Sequence, residues 1–212
     1  MSKPNIHGGL YLVVDPYPGQ EHVLPRLKEA IEGGVDVIQL WNHWHPQQDQ
    51  QSFINAALSL AQPTGVPVLI HEAWQWLQTT ALNGVHFDSI PADWPEMQKI
   101  IDRPFITGIT CGNDSARIDW AIHHADYISF CSMFPSSSSA NSCEIVSPYI
   151  VEQTRSRTSM PIFAAGGITT ENVPGLLLLG IDGVAVISAI MKADDPKEAT
   201  QNFKHRLEKN LY

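Results

Sequence analysis

The sequence predicts an α/β fold: one domain over residues 1–212, built as a single (β/α)8 TIM barrel. Three observations predict it. Eight short apolar runs alternate with stretches of helical periodicity along the whole chain. The runs are apolar throughout rather than alternating, as in parallel strands covered by helices on both faces. Eight units in 212 residues give roughly 26 residues each, near the lower size of a closed eight-stranded barrel. A doubly wound open sheet is the alternative that these observations leave standing.

Taken in order, residues 9–14 (GLYLVV) form an apolar run stopped by Asp15-Pro16 and read as a buried strand. Residues 21–32 carry Val23, Leu24, Leu27, Ala30 and Ile31 at helical spacing and close on Gly33-Gly34. Residues 35–41 are the second strand. Residues 47–60 place Phe53, Ile54, Ala57 and Leu58 on one helical face. The third strand is 67–71 and the third helix 73–82. The fourth strand, 84–87, leads through a loop at 88–95 into a brief helix ending near 101. Strand 104–109 precedes helix 115–124, and strand 126–130 precedes a Ser-rich loop at 131–143. A helix at 147–157, a strand at 161–165, a helix at 170–179 and a strand at 183–187 follow. The last helix spans 195–209, with Pro196 in its first turn.

Composition excludes several classes of partner. The formal charge is -9 with no Lys/Arg cluster, which argues against nucleic acid. No apolar run approaches the length of a membrane span. Cys111, Cys131 and Cys143 form no metal-binding spacing, and an odd count without a signal peptide points to a reducing cytoplasm. The tryptophans and the charge are compatible with a monomer or a homodimer.

In an eight-stranded barrel the chemistry lies at the C-terminal ends of the strands. Those ends carry Gln39, Trp41 and His43, then His71-Glu72, then Asp88, Thr110 and the serines at 136–139. Two turns stand out. The seventh strand ends in Gly166-Gly167 and the eighth in Ile187-Ser188. Adjacent turns of this kind aim backbone N–H groups at one phosphate. The neighbouring serines offer hydroxyl donors. Paired glycines also serve as plain tight turns, and His71-Glu72 as an ordinary polar strand end. His86, inside the fourth strand, reads as a hydrogen-bonded interior histidine, and Cys111 as a small packing residue.

The segments YLVVD (11–15), GGVDVIQL (33–40), PVLIHE (67–72), NGVHF (83–87), GIT (108–110), ADYISF (125–130), PIFAAGGIT (161–169) and GIDGVAVISAI (180–190) together resemble the thiamine-phosphate synthase and thiazole tautomerase family, in register along almost the whole chain. That family's fold is a (β/α)8 barrel. Its synthase joins a pyrimidine pyrophosphate to a thiazole phosphate with Mg2+. The resemblance implies that Gly166, Gly167, Ile187 and Ser188 hold a thiazole phosphate. It places Thr110 beside the pyrimidine and Ser136 and Ser138 where the family has two loop threonines; Gln39 is retained. Elsewhere the chain departs. The family's Gln-x-Arg-x-Lys becomes Gln39-Leu40-Trp41-Asn42-His43, its Asn-Asp becomes His71-Glu72, and its loop lysine becomes Ser139. Three pyrophosphate-binding cations are missing. At roughly 1.5–3 kcal/mol for each charge-assisted bond, the loss is on the order of 5 kcal/mol. Weak or absent synthase activity is expected. Glu72 and Asp93 are the carboxylates left for Mg2+, a thinner set than the ion usually takes. His71, Glu72 and His43 are the candidate general bases. A thiazole tautomerase, a non-catalytic binder of a small phosphorylated heterocycle and, less favoured, a phosphosugar isomerase on the same scaffold are the rival readings.

Overall fold

The computed structural model describes residues 5–135 and 144–208. Its eight parallel strands close into a barrel in sequence order. The elements run β1 (Gly9–Val14), α1 (Gln20–Gly33), β2 (Val37–Leu40), α2 (Gln50–Ala61), β3 (Val68–His71), β4 (Gly84–Phe87), α3 (Trp94–Ile100), β5 (Ile106–Thr110), α4 (Ser115–His124), β6 (Tyr127–Cys131), α5 (Pro148–Arg157), β7 (Ile162–Ala165), α6 (Val173–Leu178), β8 (Gly183–Val186), α7 (Ser188–Met191) and α8 (Pro196–Glu208). Closure is made by β1 against β8, with Leu10 opposite Val184 and Leu12 opposite Val186. Among the described residues no helix is long and apolar enough to cross a membrane.

Strand periodicity sorts the apolar residues into two cores. One set points outward under the helices and includes Leu10, Leu12, Ile38, Leu40, Ile70, Val85, Ile109, Phe130 and Val184. The other fills the barrel interior with Tyr11, Val37, Leu69, Ile106, Tyr127, Phe163 and Ala185. Gly108 is what admits the Tyr127 ring. A Cβ at position 108 would lie 1.9 Å from Tyr127 Cζ.

Two helices differ from the sequence expectation. The predicted helix over 73–82 is only a 3-10 turn, Trp74–Gln78. Its buried residues, Trp74 and Leu77, are three apart, a spacing that a 3-10 turn eclipses onto one face. Thr80 Oγ1 then donates to the Trp76 carbonyl and the turn ends. The predicted helix over 170–179 begins only at Val173. Asn172 diverts the chain before it: its side chain accepts from Thr169 N–H and donates to the Gly167 carbonyl, bonds of 3.0 and 2.9 Å. A short helix, α7, follows β8 directly at the strand-to-helix turn expected there, ahead of the last helix expected over 195–209.

Candidate active site

The Gly-rich turns lie side by side, because β7 and β8 are paired neighbours with Ala165 opposite Ala185. Gly166 and Gly167 both have positive φ, 84° and 66°, a conformation that glycine adopts without cost. Close approach demands glycine as well. A Cβ on Gly166 would sit 2.6 Å from Ser132 Oγ, and one on Gly167 2.8 Å from Phe134 Cβ and the Pro135 carbonyl. The chain leaving β6 is laid across this turn, with Met133 N–H donating to the Ala165 carbonyl and Phe134 N–H to the Gly166 carbonyl. On the other side, α7 begins at Ser188, and its first internal bond is Ile190 N–H to the Ile187 carbonyl. The N–H groups of Ser188 and Ala189 precede that bond. Eight-stranded barrels commonly place a short extra helix after the last strand at a phosphate site. Ile187 is 36% exposed, so this rim is open to a ligand. Ser136 and Ser138 lie outside the described residues.

Inside the mouth, a chain of side-chain hydrogen bonds joins β2 to β5. Tyr11 Oη donates to Gln39 Oε1 at 2.6 Å and lies 2.9 Å from Tyr127 Oη. Tyr127 Oη is 2.8 Å from His86 Nδ1, and His86 Nε2 is 2.9 Å from Thr110 Oγ1. Burial pushes the His86 imidazole down to about 3, so it is neutral at physiological pH. Burial likewise raises both tyrosines. Every hydroxyl owns one hydrogen and a neutral imidazole one N–H. With Tyr11 donating to Gln39, the matching order is Tyr127 to Tyr11, His86 Nδ1–H to Tyr127, and the Thr110 hydroxyl to His86 Nε2. Thr110 also has the Asp88 carboxylate as a hydrogen-bond partner, which competes for its single hydrogen.

His86 makes folding pH-dependent. Below pH 6.5 the unfolded chain takes up a proton here, while the folded chain does not until about pH 3. Acid therefore favours unfolding across that window, by up to about 1.4 kcal/mol per pH unit. The melting temperature should fall steadily between pH 6.5 and 4, and His86→Gln should flatten the slope. An unchanged slope in the variant would show that this imidazole titrates normally in the fold.

At the ends of β3 and β4 the structure gathers His71, Glu72 and Asp88. His71 Nε2 is 3.0 Å from Asp88 Oδ2. Asp88 N–H donates to Glu72 Oε1 at 2.7 Å. The His71 hydrogen bond is the main reason that the Asp88 carboxyl is held below its usual range. Glu72 takes a positive φ of 60°. His71 Nδ1 is buried and has no hydrogen-bond partner among the described residues, an omission that costs about 1–3 kcal/mol in a purely structural role. The sequence singles out His71 and Glu72 but not Asp88 as their partner. It also gives no prominence to Arg117, whose guanidinium donates to the Asp88 carbonyl at 2.7 Å and pairs with Asp114 at 3.2 Å. The signal available was a cation in the first turn of a helix that follows a strand end.

His43 stands elsewhere on the rim. Its Nδ1 is 3.0 Å from Asp15 Oδ1, and its ring stacks on Tyr17 at 4.6 Å. Asp93 accepts from the Trp74 indole N–H at 2.7 Å and lies outside the group of His71, Glu72 and Asp88. The residues present do not match the oxygen-only, octahedral demands of Mg2+: the grouped atoms include the His71 nitrogen. Cys111 is buried and its thiol is pushed up to about 12, so it packs rather than attacks. A hollow of about 1180 Å³ lies between α1 and α2 and the loops entering them, and is lined by Tyr17, the ring that stacks on His43.

Comparison with known proteins fits this geometry. Residues 10–190 match the family model described as thiamine monophosphate synthase. A thiamine-phosphate synthase of Picrophilus torridus is 33% identical over 209 residues, covering 96% of this chain and 98% of the relative. One from Methanocella arvoryzae is 29% identical over 199 residues, 92% of each chain. The solved thiamine phosphate pyrophosphorylase from Pyrococcus furiosus superposes with a TM-score of 0.81 at 22% identity, over 96% of this chain and 97% of that one, and supports the fold. On the extent of the family match and the identity to its members, the chain belongs to the thiamine monophosphate synthase family.

Proposed function

We propose that this barrel acts in thiamine biosynthesis and binds a thiazole monophosphate at the turns after β7 and β8. The supporting observation is the pairing of the positive-φ turn Gly166-Gly167 with the opening turn of α7 on the neighbouring strand. Such a site takes phosphate through main-chain N–H groups, which suits a chain of charge -9. Family members with the name thiamine-phosphate synthase supply the substrate class. The second substrate's half is rebuilt. Trp41 and His43 stand where the family places cations, and His43 is already engaged by Asp15. Joining a pyrimidine pyrophosphate to the thiazole is therefore slow or lost in this reading.

A proton-transfer isomerase on the same phosphate is the second reading, and one observation favours it. His71 bonds Asp88 through one nitrogen while the other stays uncommitted, the pairing that orients a general base. Calorimetric titration with thiazole monophosphate should give saturable binding at one site per chain. Pyrimidine pyrophosphate with Mg2+ should bind weakly and yield little thiamine phosphate on incubation with the first ligand. Absence of any thiazole phosphate binding would overturn the first claim. Tight pyrophosphate binding with rapid turnover would overturn the second.

A further inference from the structure

We infer that the ends of β1 and β2 form a subsite for a flat organic cation, an N-alkylated heterocyclic ring, seated on Tyr17 and Trp41 and paired with the Asp15 carboxylate. Four rings make a continuous chain across this part of the rim. Trp41 lies 5.2 Å from His43, His43 stacks on Tyr17 at 4.6 Å, and Tyr17 meets His45 at 5.5 Å with the planes 63° apart. These contacts do not bury the two largest rings: Tyr17 is 44% and Trp41 36% exposed. Two large exposed rings that touch one imidazole at a barrel mouth make an apolar patch of the kind that marks a binding surface.

The charge around the rings selects the ligand. Asp15 Oδ1 accepts from Tyr17 N–H and lies 3.0 Å from His43 Nδ1. Asp15 Oδ2 has no partner among the described residues, so half of this carboxylate is left for a ligand. The hollow lined by Tyr17 and His45 adds Glu21 and Asp49 against Lys28. An excess of carboxylates repels pyrophosphate and draws a cation. Aromatic faces, tryptophan above all, then attract that cation through the ring quadrupole. A neutral ring gains only the stacking, and an anion gains nothing.

This subsite belongs to the rebuilt second half of the mouth and rests on that reading; it is independent of thiazole phosphate at β7 and β8. The probe is ring-N-methylated nicotinamide, a pyridinium cation, and meta-methylbenzamide is its uncharged isostere. Both are titrated calorimetrically into the whole protein, with tryptophan fluorescence followed alongside. The cation should bind at one site with a Kd of about 1 mM or tighter, and the isostere at least tenfold more weakly. Trp41→Leu and Tyr17→Leu should each weaken the cation at least threefold, with Trp41→Phe restoring part of the loss. Asp15→Asn should weaken the cation and narrow its margin over the isostere. No binding of the cation, equal binding of the isostere, or unchanged affinity in the leucine and asparagine variants overturns the inference. Should one variant fail to fold, as melting curves will show, the other two decide the matter. Pyrophosphate with Mg2+ is titrated separately. Tight binding there would sink the rebuilt half itself, whereas weak pyrophosphate binding together with no cation binding overturns the cation subsite alone.

Discussion

Gly167→Asp is expected to weaken thiazole monophosphate binding at least ~100-fold, since it removes charge-assisted bonds of about 1.5–3 kcal/mol each and sets a carboxylate against the phosphate. Two physical effects act together. The new charge repels the ligand, and the new Cβ lies 2.8 Å from Phe134 Cβ and the Pro135 carbonyl. The second effect shows that the substitution also lifts the chain leaving β6 and lowers stability. Gly167→Ala separates the two: it keeps the steric push without the charge and should lose less affinity. Calorimetry on both variants, with melting curves alongside, checks the order. Wild-type affinity in Gly167→Asp would place the phosphate away from this turn.

The largest stability effect is expected at Gly108. An alanine methyl there would fall 1.9 Å from Tyr127 Cζ and 2.4 Å from its hydroxyl oxygen. Tyr127 is fully buried and bonded to both Tyr11 and His86, so it has nowhere to retreat. Overpacking a core usually costs about 1–3 kcal/mol, and this collision with a hydrogen-bonded ring should exceed about 3 kcal/mol. Urea unfolding of Gly108→Ala measures it. Tyr127→Leu in the same chain removes the colliding ring, so the double variant should lose less than the sum of the single losses. A loss below about 1 kcal/mol for Gly108→Ala would show that the ring has room to swing aside.

The strands are legible in the sequence because each is a bounded apolar run, and the order of eight such runs implies the barrel. The paired glycines are legible as a special turn, since two adjacent glycines at a strand end imply an unusual backbone. That the chain after β6 packs onto them is not, because it is a contact between segments more than 30 residues apart with no local pattern. The same limit hides the hydrogen-bonded interior. Tyr11 and Tyr127 are separated by 116 positions, and only closure of the barrel brings their hydroxyls together. His86 is legible as an interior histidine, though its partners are not. The link from His71 to Asp88 spans 17 residues across two strands. Four-residue α7 is too short to show a helical period. The 3-10 turn after β3 looks like an α-helix in the sequence because Trp74 and Leu77 fit both spacings.

The continuous chain of hydrogen bonds from Thr110 to Gln39 makes the two sides of the mouth a single polar device. When the Thr110 hydrogen goes to His86, Thr110 shows a ligand only lone pairs. In that order Gln39 accepts from Tyr11 and keeps its N–H groups to donate. A ligand asking for the opposite pattern at either end would have to turn every intervening hydroxyl, the tautomer of His86 and the Gln39 amide together. Removing one link, as in Tyr127→Phe, would release the ends from each other. A flat heterocycle bound at the mouth would then be expected to lose any preference for one orientation, with no residue at the rim having changed.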